Sequence, residues 1–387
     1  MSTQVTTTDT YTVALDGEVD DAAWDAFLQG VPGGHYTQSS AWGRYKATSD
    51  WRAARAVVLE RGEVVAGTQL LVRPLPVLGA VGLVHHGPVV APGAEAAAPL
   101  ALTALQRLCR RERVRYVELQ ASEGAAVPEA LLHAQGFRTN DRAGSPGATA
   151  RVDLRPQPEE ILARMRRSTR ANVRRGLARG LTARLGGDGD LAAVLELYAQ
   201  AARRKDFVTM ARSRYEALWD ALGRRAGLAQ LFLVETEGEL VSAQLGVRFG
   251  DGFYSHLMAW SGRHAERKPN ELLDWTAMTW ARANGCRFYD FEGITATEPG
   301  PLEPEAVHAD CYVSDYKLGY GAVVVPLPGH YEQAPNPLLR WGLQTALPKV
   351  QGRPAVQRLE RYVASTVSGR RRDGNLLRDE GPDAAPA

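Results

Sequence analysis

Over residues 57–70 an apolar run meets a charged break at Glu60-Arg61-Gly62-Glu63 and a second run follows, and the pattern returns over residues 231–245, broken at Glu237-Gly238-Glu239. Two apolar runs on either side of a short, charged turn ending Gly-Glu predict a β-hairpin in each place. Both second runs carry an alanine and then Gln-Leu, as Ala66 with Gln69-Leu70 and as Ala243 with Gln244-Leu245. The likeness continues downstream, where Arg113-Val114-Arg115-Tyr116-Val117-Glu118-Leu119 is matched by Gly285-Cys286-Arg287-Phe288-Tyr289-Asp290-Phe291, each after a helical segment. Order and spacing predict one α/β unit used twice.

The remaining pattern fills in the units. Residues 20–29 predict a short helix, 81–85 a strand, 96–111 a helix and 114–120 a strand, with a short helix ending at Gly136 and a strand over 148–154 closing the first unit. Pro156 and Pro158 suit a first helical turn. Beyond them Ile161, Met165, Val173 and Leu177 lie at multiples of four, which predicts one helix with those four facing inward. Helices over 191–204 and 212–225, a meander over 231–260, a helix over 269–284 and strands over 287–291 and 322–325 make the second unit. The expected domains are 1–154, completed by the helically spaced segment 326–365, and 155–325. Residues 366–387 lack periodicity and are expected to be disordered.

Composition narrows the class. With 387 residues, 44% hydrophobic and 23% charged, two soluble globular domains are expected. Cys109, Cys286 and Cys311 are odd in number and widely spaced, which suits neither a disulfide framework nor a metal site. The polar start carries no export signal, no run approaches a bilayer span, and a cytoplasmic protein is expected. A net charge of +2 means that affinity for a polyanion must come from local clustering. Such a cluster exists: residues 161–187 hold no acid, yet contain Arg164, Arg166, Arg167, Arg170, Arg174, Arg175, Arg179 and Arg184. Like charges so close repel unless an anion is present, so a contact with phosphate of RNA, a nucleotide sugar or a lipid headgroup is expected.

A meander, a helix, a strand and a final helix–strand pair follow the strand order of the acetyltransferase-like (GNAT-like) fold. Within it, Gln38-Ser39 through Trp42 to Lys46, the arginine-rich helix, Asp290-Phe291-Glu292-Gly293-Ile294 and Tyr316-Lys317-Leu318-Gly319-Tyr320-Gly321 together resemble the FemABX family. The resemblance covers residues 37–328. It implies two tandem GNAT-like domains, transfer of an amino acid from aminoacyl-tRNA to an amine of a nucleotide-linked (UDP) or lipid-linked peptidoglycan precursor, no metal, no cofactor and a monomer. A lipid-linked acceptor would bring the protein to the inner membrane surface. The arginine helix passes directly to strand 181–185, leaving no room for the long helical tRNA arm of some relatives.

The same resemblance assigns residues. Lys46 stands where the family grips the acceptor's diphosphate, a point-charge task that suits an ammonium. Arg212 is similar to a second phosphate-binding arginine, with Arg214 a competitor for that role and Tyr215 beside it, and Tyr254 resembles a cleft-lining tyrosine. Lys317 matches the lysine of the family's Phe-Lys pair, with Tyr316 in place of the phenylalanine. A fixed cation there either stabilises the oxyanion of the attacked ester or neutralises the tRNA end. Arg166, Arg167, Arg170 and Arg174 are the tRNA-binding candidates.

No enzyme nucleophile is needed for an ester that is already activated, and no general base stands out, although Glu118 and Asp290 occupy matching places. Three rivals remain. An acyl-CoA N-acyltransferase needs a pyrophosphate loop before the helix 269–284, and residues 261–270 lack one. A tRNA-dependent transferase acting on an antibiotic precursor could use the Pro- and Glu-rich residues 295–309 to reshape the acceptor site. A non-enzymatic RNA-binding module would need the arginine helix but not Lys317.

Overall fold

A computed structural model describes residues 6–7, 11–15, 21–75, 79–123, 127–140, 147–205, 209–294 and 312–334. The loop 295–309, His308, Cys311, the helically spaced 338–363 and the tail 366–387 lie outside the described residues.

The first unit comprises β1 (Thr6–Thr7), β2 (Tyr11–Leu15), α1 (Asp21–Gly30), α2 (Ser40–Ala47), β3 (Arg52–Glu60), β4 (Glu63–Leu75), β5 (Gly79–Val84), β6 (Val89–Val90), α3 (Ala98–Arg111), β7 (Val114–Gln120), α4 (Glu129–Ala134) and β8 (Arg138–Thr139). There follow β9 (Ala148–Asp153), α5 (Pro158–Arg164), α6 (Arg167–Ala178), β10 (Thr182–Gly186), α7 (Leu191–Lys205), α8 (Arg212–Leu218), a π-helical turn at Trp219–Arg225, β11 (Ala229–Thr236), β12 (Glu239–Phe249) and β13 (Gly252–Trp260). The last elements are α9 (Pro269–Ala283), β14 (Phe288–Asp290), α10 (Tyr312–Leu318), β15 (Val323–Pro326) and β16 (His330–Gln333).

The repeat read from the sequence extends to the backbone. The β3–β4 hairpin turns on Arg61 and Gly62, with φ of 53° and 87°, and β11–β12 on Glu237 and Gly238, with φ of 54° and 77°. Two successive positive φ values give the tight turn whose twist matches its strands. Each hairpin slips register by one residue just before that turn, between Val58 and Leu59 and between Val234 and Glu235. Each meander then crosses through a helix to a parallel strand, β5 through α3 to β7 and β13 through α9 to β14. Parallel neighbours require such a crossover. α3 buries Leu102, Leu105 and Leu108, and α9 buries Leu272, Leu273, Met278 and Ala281, each against its own sheet.

The two sheets run β1-β2-β3-β4-β5-β7-β16-β8, with β6 beside β4, and β10-β11-β12-β13-β14-β9-β15. β9 is therefore not the close of the first unit but a member of the second sheet, between β14 and β15. Alternation in residues 148–153 marks a strand without naming its partner. β16 runs back to the first sheet between β7 and β8, so the chain crosses between the units twice.

A shared core joins them. Trp24, Leu28, Trp42 and Tyr45 of the first unit pack with Leu195, Leu218, Leu222 and Leu257 of the second. The helix expected over 161–177 is broken: Met165 and Arg166 have extended backbones, with ψ of 152° and 147°. Ile161, Met165 and Val173 are buried as expected, but Leu177 is 61% exposed, because the break resets the helical phase. Among the described residues no helix is long and apolar enough to cross a membrane.

Candidate functional site

In the second unit the parallel pair is short. β13 and β14 bond only from Gly252–Tyr254 to Phe288–Asp290, and beyond this the two chains part around a cavity of about 260 Å³ lined by Ser255, Trp260, Phe291, Tyr316 and Lys317, with Arg204 and Lys205 at its edge. Lys317, in the last turn of α10, donates from Nζ to the carbonyls of Glu292 (2.6 Å) and Gly293 (2.5 Å). Helix α10 is fixed by its preceding residue. The Tyr316 hydroxyl donates to Asp274 Oδ2 at 2.6 Å and meets the Tyr320 hydroxyl at 2.7 Å, while Tyr289 donates to Asp274 Oδ1. Burial raises the Asp274 carboxyl to about 6 even against those tyrosine hydrogen bonds. Tyr316 thus spends its hydroxyl inside the protein while its side chain also lines the cavity.

The carbonyls that hold Lys317 are themselves held. Asp290, 3% exposed, pairs with Arg151 (2.6 Å), accepts from Thr149 and from the Glu292 N–H (2.7 Å), and so fixes Glu292 in a left-handed conformation with φ of 50°. Asp290 is an anchor for this corner, and Arg151 continues it to Glu123 of the first unit. The Glu292 carboxylate accepts from the Tyr36 hydroxyl (2.7 Å) and lies 3.4 Å from His256 Nδ1, which is 3.0 Å from the same hydroxyl. Burial pushes the Glu292 carboxyl up, but His256, Tyr36 and Lys317 together outweigh it and leave the group below the usual carboxylate range. Tyr36, Glu292 and Gly293 line a second cavity, of about 240 Å³, with His86, Arg151 and Tyr254. There His35 stacks on His86 at 3.9 Å between ring centroids, and burial lowers His86 to about 4, so it is neutral.

Lys46 stands on α2, whose N-cap Ser39 accepts from the Trp42 N–H at 3.1 Å. Its Nζ is 5.1 Å from the Trp42 ring centroid and 5.6 Å from that of Tyr45. Burial, and then the neighbouring Arg214 guanidinium, lower the Lys46 ammonium below its ordinary value. Arg214 lies over the other contact of that aromatic pair, 5.1 Å from the Tyr45 ring. Arg212 instead is exposed and paired with Glu216, so of the two arginines it is Arg214 that meets Lys46. Residues two apart on a helix point about 200° apart, which separates them fully. Tyr215 is buried, accepts from the Met210 N–H and packs edge-on against Tyr198. Tyr254 is buried between Tyr36, His35 and Phe288. The Trp42 Nε1–H is buried with no partner among the described residues, the kind of donor a bound ligand satisfies.

The arginine run is mostly engaged within the chain. Arg170 donates to the carbonyl of Ala163 at 2.9 Å and caps the C-terminus of α5, Arg166 pairs with Asp315 two residues from Lys317, and Arg184 pairs with Asp190 and Glu235. Arg175 and Arg179 bond Asn172 and the Glu266 carbonyl, and Arg164 pairs with Asp153. Arg167 and Arg174 remain exposed and without a protein partner among the described residues. The repulsion expected from the sequence is thus relieved largely by acids and carbonyls distant in the chain.

Burial pushes the Cys109 thiol to about 12 and Cys286 to about 11, which makes both poor nucleophiles. Glu118 is raised by burial beside Glu332 and belongs to the first sheet. The residues missed by the sequence reading are Tyr36, His256, Asp274 and Glu292. Glu292 stands in a segment singled out for other members and Tyr36 just ahead of another, and only their contacts distinguish them.

Residues 19–126 match the FemAB family, and residues 163–301 match the Acetyltransferase (GNAT) domain family. The Lipid II:glycine glycyltransferase of Staphylococcus aureus is 28% identical over 267 residues, which is 65% of this chain and 63% of that protein, so the match spans less than two thirds of the relative's length. Among solved structures, FemX superposes with a TM-score of 0.76 at 21% identity, covering 85% of this chain and 99% of that one. L-PGS from Bacillus licheniformis gives a TM-score of 0.51 at 14% identity, over 85% and 97%. With both halves matched in order, this chain is similar to the FemAB family in its first half and to the Acetyltransferase (GNAT) domain family in its second, on the tandem fold that it shares with FemX.

Proposed function

We propose that the protein is an aminoacyltransferase that moves an amino acid from aminoacyl-tRNA to an amine of a peptidoglycan precursor, forming cell-wall cross-bridges. The observation that carries this reading is the placement of Lys317. It lines the cavity where β13 and β14 part, with Arg204 and Lys205 at the rim, while Lys46 and Arg214 flank an aromatic wall reached through Trp42. The name of the S. aureus relative supports a lipid-linked precursor as the acceptor class. A diphosphate, whether nucleotide- or lipid-linked, would be gripped by Lys46, Arg214 and the Trp42 N–H.

The chemistry needs little beyond position and charge. The acceptor nitrogen attacks the ester carbonyl, a C–N bond forms, the C–O bond to the terminal ribose breaks, and the ribose hydroxyl leaves with a proton. Negative charge gathers on the carbonyl oxygen, and an ammonium held by two backbone carbonyls is preorganised to meet it. No covalent enzyme intermediate is required, because the donor ester is already activated. Arg167 and Arg174, on the helix that begins beside α10, are the candidates to contact tRNA phosphates, with Arg166 and Arg170 shaping that helix end.

Purified protein supplied with a panel of radiolabelled aminoacyl-tRNAs and with nucleotide- and lipid-linked precursors should move label into an amide on one acceptor. Acetyl-CoA-dependent acylation with no transfer from any aminoacyl-tRNA would overturn the proposal.

A further inference from the structure

The reaction releases a proton from the attacking nitrogen, and the sequence offers no base for it. The fold does. β12 and β13 slip register between Leu245 and Gly246, so that Leu245 faces Leu257 while Gly246 faces Ser255, and His256 is the unpaired extra residue. A β-bulge of this kind re-aims its side chain. His256 consequently shares a face with Tyr254 and Leu257, turning from the α9 side toward the first unit, where its ring meets Tyr36 and Trp42 edge-on at 5.9 and 6.1 Å.

Hydrogen bonding then fixes which ring nitrogen carries the proton. The Tyr36 hydroxyl donates to Glu292 Oε1, so toward His256 Nδ1 it can only accept, and Glu292 Oε1 is an acceptor as well. Nδ1 must therefore be the protonated nitrogen. Nε2 makes no hydrogen bond among the described residues, and it is not among the buried unpartnered atoms, so its lone pair is accessible. The backbone of the same Glu292 holds the Lys317 ammonium. One residue thus ties a candidate proton acceptor and a candidate oxyanion donor to a single rigid corner.

We propose that His256 is the general base of the transfer, taking the proton of the attacking amine on Nε2 and returning it to the departing ribose oxygen, with Tyr36 and Glu292 as positioning residues. This rests on the aminoacyl-transfer reading above. The electron balance is closed: the nitrogen lone pair becomes the C–N bond, the N–H pair stays on nitrogen as the lone pair of the amide, the C–O pair leaves on the ribose oxygen, and the proton passes from nitrogen through imidazolium to that oxygen. The groups facing His256 are Tyr36 and His35 from the turn before α2, Glu292 from the segment after β14 and, behind it, Lys317 from α10. The carboxylate, through Nδ1, fixes the tautomer and orientation of the ring.

The test compares wild type, His256→Gln and Glu292→Gln in single-turnover amide formation across pH. His256→Gln should lower the rate of transfer about 10²- to 10⁴-fold and abolish the acidic limb of the profile, leaving acceptor binding unchanged. Glu292→Gln should lower the single-turnover rate at saturating acceptor while leaving the acceptor concentration for half-maximal rate unchanged, a split that a merely structural role would not give. A wild-type rate and profile in His256→Gln would overturn the proposal. Wild-type protein that forms no amide at all would instead overturn the aminoacyl-transfer reading. Should the variants fail to fold, ¹⁵N shifts of the His256 ring in the wild-type protein decide the matter, with an unprotonated Nε2 expected and an Nε2–H tautomer refuting it.

Discussion

In the first unit β5 and β7 stay paired from Ala80 to Val84, and the chain beyond them is still bonded, by the Gly87 N–H to the Gln120 carbonyl at 3.0 Å. The Gln38 amide seals the same end, donating to the carbonyls of His85 (2.6 Å) and Gln69 (3.2 Å). In the second unit the matching pair ends at Tyr254 and Asp290, and the space beyond holds Lys317 and a cavity. A duplicated scaffold has therefore kept its turn, its bulge and its crossover in both copies, while the gap between parallel strands is bridged in one and furnished with charge in the other. The first unit contributes from outside its sheet instead, through Tyr36 and Lys46 around α2.

The largest expected effect sharpens this contrast directly. Lys317→Ala should cost about 10²- to 10³-fold in kcat for amide formation. His133→Ala, on the helix that follows β7 as α10 follows β14, is exposed and should leave kcat within about twofold. Equal losses at both positions, in a steady-state transfer assay, would remove the functional asymmetry between the units.

A smaller effect concerns the first unit's contribution. Lys46→Ala or Arg214→Ala should each raise the KM for a diphosphate-bearing acceptor about 10- to 100-fold, since hydrogen bonds to charged groups carry about 1.5–3 kcal/mol. Arg212→Ala should change it by about twofold or less. Because burial and Arg214 lower the Lys46 ammonium, acceptor affinity should fall as pH rises through a range below that of an ordinary lysine. Calorimetric titration of wild type and Lys46→Arg across pH reads this, the arginine variant holding its affinity at higher pH.

The effects smallest in activity are on stability alone, in the buried tyrosine network under α10. Asp274 keeps its proton to about 6 in the folded protein, against about 3.9 in an unfolded chain. Between these values the native state binds more protons, so unfolding free energy should fall as pH rises from about 4 to about 6, by on the order of 3 kcal/mol, and then level off. Tyr316→Phe removes the 2.6 Å hydrogen bond to that carboxyl and should lower stability by about 1–3 kcal/mol, with both KM values in the wild-type range. Urea midpoints across pH check both. A raised donor KM without a loss of stability would assign Tyr316 a substrate-binding role instead.

What could be read from the chain alone follows physical lines. The hairpins were legible because Arg61-Gly62 and Glu237-Gly238 are local turn chemistry, and the crossovers because helical spacing separates the strands they join. The sheet that takes Ala148–Asp153 was not, since alternation carries no information about partners. Leu177 was placed inward because four-residue spacing assumes an unbroken helix, and the extended backbone at Met165 and Arg166 voids that assumption. The arginine run read as unpaired because Asp315, Glu235 and the Glu266 carbonyl are distant in sequence and Asp190 lies just past the end of the acid-free stretch. Lys317 and Lys46 were visible through family-like motifs, whereas His256 depends on a one-residue bulge, and Glu292 on a left-handed φ, neither of which has a sequence signature at that position.

The most direct test of the central claim is a crystal structure with a non-hydrolysable amide analogue of aminoacyl-adenosine. The account predicts the analogue between β13 and the segment after β14, its carbonyl oxygen within hydrogen-bonding reach of Lys317 Nζ. An analogue seated beside β5 and β7 of the first unit, with Lys317 Nζ out of reach of its carbonyl oxygen, would contradict it.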